Sequence, residues 1–199
     1  MGKENVIGLS LPCYSKEDDY NDAKLISDYY GFPLYKFDLT STFDSFIDEV
    51  KTVNGDTNYD NANQNLKPRL RMSSLYYFAS ALSTNGKRYI VAGTSNKSEL
   101  YVGYFTKGGD STHDIDLIAD FTVSEVIKIG EFLNVPEKVL YKTPSDGLSG
   151  KTDEDKLGVT YQNIEDYIYN REMDQETSQK IKKLHENAHH KFNIPTYRR

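Results

Sequence analysis

A short apolar run followed by a dense polar stretch constrains this chain more than any other feature. The run Arg88-Tyr-Ile-Val-Ala92 is β-branched and aromatic and stops at Gly93, a pattern typical of a buried parallel strand that opens into a loop. Residues 94–114 then crowd hydroxyl, amide, carboxylate and ammonium groups behind that strand. Ligands of open α/β sheets bind beyond the carboxyl ends of the strands. The pattern therefore predicts an α/β fold with a binding site here.

The chain before this stretch alternates strand and helix patterns. Residues 6–11 and 34–38 are strand candidates. A helix is expected from Ser15, with a capping box and with Gly31 as its C′ residue. A second helix is expected after a cap at Ser41, because apolar residues recur behind it at helical spacing. This β-α-β-α order predicts a doubly wound parallel sheet in one domain spanning residues 1–199.

The later segments are mostly helical in pattern. Residues 52–65 are polar and read as a loop or a capped approach to a helix that starts near Lys67. Thr122 opens a capping box, and Thr160 caps another helix. Residues 145–156 are polar and glycine-bearing, so we expect a lid over the site.

Composition excludes several classes of function. The formal net charge is −6 and the only basic run is Arg198-Arg199, which argues against nucleic-acid binding. No apolar run approaches the roughly 20 residues of a membrane span, and Met1-Gly-Lys-Glu lacks the apolar core of a signal peptide. Cys13 is the single cysteine, which favours a reducing compartment. We therefore expect a cytoplasmic protein without membrane or nucleic-acid partners.

The polar stretch itself has two interpretations. Thr94, Ser95, Asn96 and Glu99, with the turn Lys107-Gly-Gly-Asp110, would suit a phosphate and a metal ion. The same residues would equally suit a helix cap followed by an ordinary glycine loop. Composition alone favours the second interpretation.

Three longer motifs resemble those of one family, in order and in spacing. Gly93-Thr-Ser-Asn-x-x-Glu99 with the following Gly103-Tyr-Phe-Thr-Lys107 is similar to the central motif of the ammonia-dependent NAD synthetases, relatives of the ATP pyrophosphatases. Asn65-x-Lys-x-Arg-x-Arg-Met72 and Thr152-Asp-Glu-x-x-Leu-Gly158 resemble two further motifs of that family. The resemblance covers nearly the whole chain and implies an adenine-nucleotide hydrolase type of Rossmann-like fold.

The resemblance also implies roles for individual residues. Glu99 occupies the place of the magnesium ligand, and Thr94 and Ser145 occupy ATP-binding places. Seven residues occupy places that bind deamido-NAD: Asn65, Arg69, Arg71, Lys107, Asp114, His190 and Lys191. No protein nucleophile is implied, because the reaction depends on positioning and charge neutralisation.

Three departures concern ATP. The family's Ser-Gly-Gly-x-Asp-Ser loop, which follows its first strand and holds pyrophosphate, does not occur in the 199 residues. Where the family usually has a lysine that contacts ATP, this chain has Val123, and where the family usually has a threonine that bonds the nucleotide, it has Ser145. We therefore expect a single NAD synthetase-like domain without the family's first strand-loop-helix unit. We expect this chain by itself to be marginally stable and inactive, and we expect stability and activity to recover when that unit is restored.

Two clusters leave alternatives open. His185, His189 and His190 would place imidazoles on one face of a helix, where they could bind zinc. Alternatively, they belong to a charged terminal tail without a metal. Asp110, His113, Asp114 and Asp116 would form a second metal cluster, or be solvated acids.

The implied reaction is the ATP-dependent amidation of deamido-NAD with free ammonia and Mg²⁺, through an adenylylated intermediate, in a homodimer. One alternative is a pseudoenzyme that retains the dimer and dinucleotide surfaces. Another is an ATP pyrophosphatase with a different acid substrate, which the motif at residues 65–72 disfavours.

Overall fold

The computed structural model describes residues 2–55, 59–84, 86–145, 152–193 and 196–197. A short 3-10 turn at Lys3–Asn5 precedes the first strand. The strands are β1 (Gly8–Ser10), β2 (Leu34–Lys36), β3 (Ala92–Gly93) and β4 (Ile115–Asp116). The helices are α1 (Glu17–Tyr30), α2 (Thr40–Asn54), α3 (Asp60–Leu82), α4 (Lys97–Val102), α5 (Val123–Phe132), α6 (Glu137–Leu140), α7 (Asp153–Leu157), α8 (Tyr161–Ile168) and α9 (Gln175–Phe192).

All four described strands are in parallel pairs. β1 pairs with β2, with Gly8 opposite Leu34, and β3 pairs with β4, with Ala92 opposite Ile115. Parallel pairing with helical connections confirms the α/β class. Within the described residues the strands form two separate two-stranded sheets.

Two helices begin elsewhere than their sequences suggest. The N-cap of α1 is Lys16, because the Ser15 hydroxyl instead accepts hydrogen bonds from the backbone of Cys13 and from Arg71. α2 begins at Thr40, one residue before the predicted cap, because the Asp38 carboxylate accepts the Thr40 backbone N–H at 2.8 Å. In both cases a competing polar contact decided the first turn.

Other predicted boundaries are confirmed. The predicted C′ residue Gly31 has φ 73°, the left-handed conformation that favours glycine. Thr122 and Thr160 form capping boxes at the starts of α5 and α8. α3 begins seven residues before Lys67, so part of the predicted loop is helical.

Two hydrophobic clusters hold these elements. One joins α4, α8 and α9 and contains Ile164 and Ile181, both fully buried, with Val102, Val159 and Tyr161. The other joins β1 to α2 and contains Leu11, Cys13, Leu39 and Phe43. Burying a side chain such as isoleucine contributes roughly 1.5–3 kcal/mol. The first cluster therefore anchors α4, the helix that lies within the polar stretch. No helix in the described part of the chain is long and apolar enough to cross a membrane.

Candidate active site

The polar stretch turns from β3 into α4 through a reciprocal cap. The Asn96 side chain accepts the backbone N–H of Glu99, and the Glu99 carboxylate accepts the backbone N–H of Asn96, both at 3.0 Å. The helix-cap interpretation is therefore correct for these two residues. Burial raises the pKa of Glu99 to about 7, despite the Asn96 N–H that lowers it. One carboxylate thus caps the helix and also faces the cavity described next.

A cavity of about 490 Å³, here called the central cavity, lies beyond β3. Its wall comes from α3, β3, α4, the loop at 103–113, α7 and α9. Six sequence-predicted site residues line it: Asn65, Arg71, Thr94, Glu99, Ser145 and Lys191. These residues are far apart in sequence, so the fold brings them to one place. The cavity is also within the common size range of small-molecule sites.

The other four predicted residues do not line this cavity. The Arg69 guanidinium donates to the Lys107 carbonyl at 3.2 Å, and Lys107 Nζ donates to the His190 carbonyl at 2.8 Å. These three form an exposed chain of contacts between α3 and α9. Asp114 lines another cavity, where its carboxylate accepts the Val91 N–H at 2.8 Å and the Tyr76 hydroxyl at 3.3 Å.

Arg71 lies between two cavities. It lines the central cavity and a second cavity of about 990 Å³ next to β1, as do Leu75 and Ser145. Its Nε donates to the Leu11 carbonyl at 3.0 Å, and its Nη2 donates to Ser15 Oγ at 3.2 Å. Arg71 therefore ties α3 to the end of β1 while facing both spaces. Of the expected lid, Ser145 and residues 152–156 are described, whereas residues 146–151 lie outside the described residues.

Asp153 is a functional candidate that the sequence did not single out. Its side chain accepts the Tyr104 hydroxyl at 3.0 Å and the Tyr161 hydroxyl at 3.2 Å, and the residue is 5% exposed. Asp153 lines the central cavity with Glu99, and its charge contributes to the raised pKa of Glu99. Its place in the Thr152-Asp-Glu motif was the available signal, but both tyrosine contacts are tertiary.

The carboxyl-terminal half of α9 packs on α4 through an aromatic contact. The His185 ring stacks on Tyr101 with centroids 4.3 Å apart, and its Nδ1 lies 2.8 Å from the Tyr101 carbonyl. His189 and His190 have hydrogen-bonding contacts of their own within or beside α9. Among the described residues no group of three or more potential metal ligands occurs.

Counting described residues only, the cavity wall contains three carboxylates, those of Glu99, Asp110 and Asp153, and Glu99 is the one that the sequence predicts as a magnesium ligand. Magnesium that bridges nucleotide phosphates takes few protein ligands and keeps several waters, so a single carboxylate fits it. The buried carboxylate, whose pKa is raised for want of solvation, would also be stabilised by a cation. The donor set thus fits magnesium bound mainly through a substrate's phosphates.

Comparisons with known proteins agree in one family. The family model described as NAD synthase matches residues 1–195. An NH(3)-dependent NAD(+) synthetase of Carboxydothermus hydrogenoformans is 36% identical over 193 residues, which are 96% of this chain and 77% of that protein. One from Methanococcus aeolicus is 39% identical over 88% of this chain and 68% of its own length.

Solved structures give the same result. The NMN synthetase from Francisella tularensis has a TM-score of 0.88 and 31% identity, and the match covers 96% of this chain and 78% of that one. The NH3-dependent NAD synthetase from Campylobacter jejuni has a TM-score of 0.74 and 26% identity over 99% of this chain and 79% of that one. By sequence match, by identity and by fold, the chain belongs to the NAD synthase family.

Proposed function

We propose that this protein is an ammonia-dependent NAD synthetase. ATP would transfer AMP to the nicotinate carboxylate of deamido-NAD and release pyrophosphate, and ammonia would then displace AMP to form the amide. Family membership supports this reaction, and the observation that carries it is the convergence of six predicted site residues on the central cavity. Convergence of that kind is unexpected for the pseudoenzyme alternative, which requires no intact ATP site.

The residues present have distinct parts in this scheme. Thr94 and Ser145 offer hydroxyl groups to the nucleotide, and Arg71 and Lys191 offer cations to its phosphates or to the deamido-NAD phosphates. Glu99 would hold Mg²⁺, which neutralises phosphate charge when bound. Positioning and charge therefore supply the catalysis.

Nicotinic acid mononucleotide is a second candidate for the acid substrate. The TM-score to the NMN synthetase, 0.88, exceeds the 0.74 to the Campylobacter NAD synthetase. An NMN synthetase forms the same amide on the mononucleotide, so nicotinic acid mononucleotide would present the same carboxylate without the adenylate half. The central cavity serves the shared nicotinate chemistry in both cases, and the residues outside it, Arg69, Lys107 and Asp114, would contact the additional half of a dinucleotide.

The test is a competition assay. Purified protein receives ATP, magnesium, ammonium chloride and equal concentrations of deamido-NAD and nicotinic acid mononucleotide, and products are separated by mass spectrometry. The proposal expects NAD as the main product, and NMN as the main product would establish the second candidate. If neither NAD nor NMN forms and no AMP is released, both candidate functions are contradicted.

Two variants test which residues bind deamido-NAD. Arg71→Ala is expected to weaken deamido-NAD binding by roughly 1–3 kcal/mol in calorimetry, through a lost charge-assisted hydrogen bond. Lys107→Ala is expected to weaken deamido-NAD binding while leaving the mononucleotide unaffected. Lys182→Ala, an exposed residue on the outer part of α9, is the matched control. Unchanged affinity in both variants would contradict the assignment of these residues.

We also propose that the protein is a homodimer paired through α3. Leu66, Leu70 and Leu75 on one face of this 23-residue helix pack against the cluster of β1 and α2 but remain only partly buried, and Tyr77 is 71% exposed. A long helix normally buries an apolar face, so a second copy is the natural cover. Sedimentation of wild type and Tyr77→Glu tests this, with a dimer expected for the first and a monomer for the second. Equal masses at the monomer value would contradict it.

A further inference from the structure

Tyr14 has an unusual backbone conformation for its residue type. It follows the end of β1 and has φ 57°, in the left-handed region that favours glycine. Bulky side chains rarely adopt this conformation, because their Cβ atom approaches the following carbonyl oxygen. Residues held in such conformations cluster at ligand sites, where the surrounding structure maintains them. The tyrosine side chain at this position is therefore a functional candidate.

Contacts with two helices fix the ring of Tyr14. Its hydroxyl donates to Asp44 Oδ1 in α2 at 2.6 Å, and the ring meets that of Phe43 edge to face, with centroids 6.0 Å apart. In α3, Lys67 Nζ lies over the tyrosine ring, 5.4 Å from its centroid. Because these contacts already order the side chain, a ligand that stacks on the ring does not have to immobilise it.

Despite these contacts Tyr14 remains 58% exposed, and it lines the second cavity, the space of about 990 Å³ beside β1. Apolar side chains of Leu9, Leu11 and Val139 form other parts of the same wall. A planar aromatic group fits a wall of this kind, because it can stack on the tyrosine ring and also contact the apolar side chains. The second cavity therefore suits the base of a nucleotide.

A cation beside Tyr14 adds a second element of nucleotide recognition. Arg71 Nη2 donates to Ser15 Oγ at 3.2 Å, so the guanidinium group contacts the residue that follows Tyr14. Arg71 also lines the central cavity, whose wall contains Glu99. A nucleotide with its base on Tyr14 would therefore have its phosphates beside Arg71 and directed toward Glu99. In the proposed reaction ATP is the nucleotide whose phosphates bind magnesium, so the expected base is adenine.

We propose that Tyr14 is the residue on which the adenine ring of ATP stacks, an inference that rests on the proposed function. An aromatic side chain binds a base through its π face, independently of the hydrogen-bonding edge of the base. Tyr14 thus contributes affinity for the nucleoside part of ATP and none for its phosphates. Removal of the ring should therefore weaken the binding of ATP without weakening the binding of a phosphate chain alone.

Calorimetry with two probes separates recognition of the base from recognition of the phosphates. Tyr14→Gly removes the ring and suits the left-handed backbone. This variant is expected to bind ATP with magnesium roughly 5- to 100-fold more weakly than wild type, the range that the loss of one base–aromatic stack gives. Its affinity for inorganic tripolyphosphate with magnesium is expected to stay within about twofold of wild type. A residue that only supported the fold would weaken the binding of both probes.

Two further variants and a control complete the design. Tyr14→Asn also removes the ring, and asparagine tolerates the left-handed conformation, so the same loss is expected even if the glycine variant does not fold. Tyr14→Phe keeps the ring beside Phe43, and its affinity for ATP is expected to remain within about threefold of wild type. Tyr141→Ala is the matched control and is expected to bind ATP as wild type does. Tyr141 is 57% exposed and donates to Glu131, but in the described part of the chain it lines neither cavity.

Three results would overturn the inference. Wild-type binding of ATP that neither Tyr14→Gly nor Tyr14→Asn weakens by as much as about twofold would exclude stacking on Tyr14, while the proposed function would stand. Equal losses of affinity for ATP and for tripolyphosphate in both variants would show that Tyr14 only supports the loop after β1. A wild type that binds neither probe would contradict the proposed function itself, and the role of Tyr14 with it.

Discussion

Lys191 Nζ lies 2.7 Å from the carbonyl oxygen of Gly103, so the last turn of α9 is bonded to the residue that ends α4. The same ammonium donates to the Phe105 carbonyl at 2.6 Å, and burial lowers the pKa of Lys191. In the reverse direction Lys107 donates to the His190 carbonyl. Two residues predicted from sequence as ligand contacts therefore also hold the two walls of the site together.

Lys191→Met tests this double role. Methionine keeps much of the apolar stem but removes two charge-assisted hydrogen bonds, so we expect the free energy of unfolding to fall by roughly 1–3 kcal/mol. We also expect weaker nucleotide binding, since α9 would release the loop at 103–107. Urea denaturation and calorimetry measure the two effects. Lys182→Met is the control, because its ammonium pairs with the exposed Glu186 at 3.9 Å; a loss as small as in that variant would refute the double role.

Glu99→Gln is expected to change how stability varies with pH in metal-free buffer. The pKa of Glu99 is raised by burial from 4.5 to about 7, so between these values the folded state binds more protons than the unfolded state. The free energy of unfolding therefore falls as pH rises from 4.5 to 7, by at most about 3 kcal/mol. The glutamine variant lacks that slope. Urea titrations at pH 5 and 8 with EDTA measure it, with exposed Glu172→Gln as control; parallel profiles for Glu99→Gln and wild type would contradict the expectation.

Asp153→Ala is expected to be destabilising because it removes the carboxylate that accepts two tyrosine hydroxyls. Tyr161 is 4% exposed, so its hydroxyl cannot turn to water, and the cost is on the order of 3 kcal/mol. Tyr161→Phe removes the stranded group, so Asp153→Ala should cost less in that background. A double-mutant cycle measures the coupling. Additive effects of the two substitutions would show that the hydrogen bond contributes nothing.

Asp22 connects α1 to the segment that leads to Ser145. Its Oδ1 lies 2.7 Å from Lys138 Nζ and its Oδ2 lies 2.7 Å from Lys142 Nζ, and these two lysines, Lys138 first, lower the pKa of the carboxyl group. Because the pKa is depressed in the folded state, the stabilisation is present above pH 3.8 and is lost as pH falls through the folded value.

Asp22→Asn is therefore expected to lower the free energy of unfolding at pH 7 by roughly 1–2 kcal/mol, a modest value because both lysines are half-exposed. The difference from wild type should shrink on acidification below pH 3.8. Asp28→Asn removes an exposed pair with Lys24 and is expected to have a smaller effect. A pH-independent difference between Asp22→Asn and wild type would exclude the ion pairs as its source.

A strand added between the two sheets is expected to stabilise the protein. Within the described residues β1 pairs only with β2 and β3 only with β4, and the cavities beside β1 and β3 share Arg71 and Leu75 in their walls. Unpaired strand edges leave backbone groups to water. Fusing a relative's strand-loop-helix with its Ser-Gly-Gly-x-Asp-Ser loop before Met1 should raise Tm and ATP affinity. The same fusion with proline in its strand is the control, and equal Tm values would contradict this expectation.

Much of the local structure follows from the sequence alone. Capping boxes at Thr122 and Thr160 and the left-handed Gly31 depend on residues within one helical turn, so a local pattern predicts them. The motif around Gly93 and Glu99 likewise predicted the family, and both residues line the central cavity. Ser15 was mispredicted as a cap because its hydroxyl bonds Arg71, 56 residues away.

The sequence by itself determined the α/β class, the order of most elements and the family to which the chain belongs. Only the tertiary structure decided which predicted residues share a cavity: Arg71 and Lys191 do, whereas Lys107 and Asp114 do not. It also decided that Asp153 receives two tyrosine hydroxyls and that His113 lies between Gly93 and Asp116. The physical reason is the separation along the chain between the residues that interact. Helix caps and turns depend on neighbours along the chain, but the position of a side chain in a cavity depends on contacts between elements that only packing brings together.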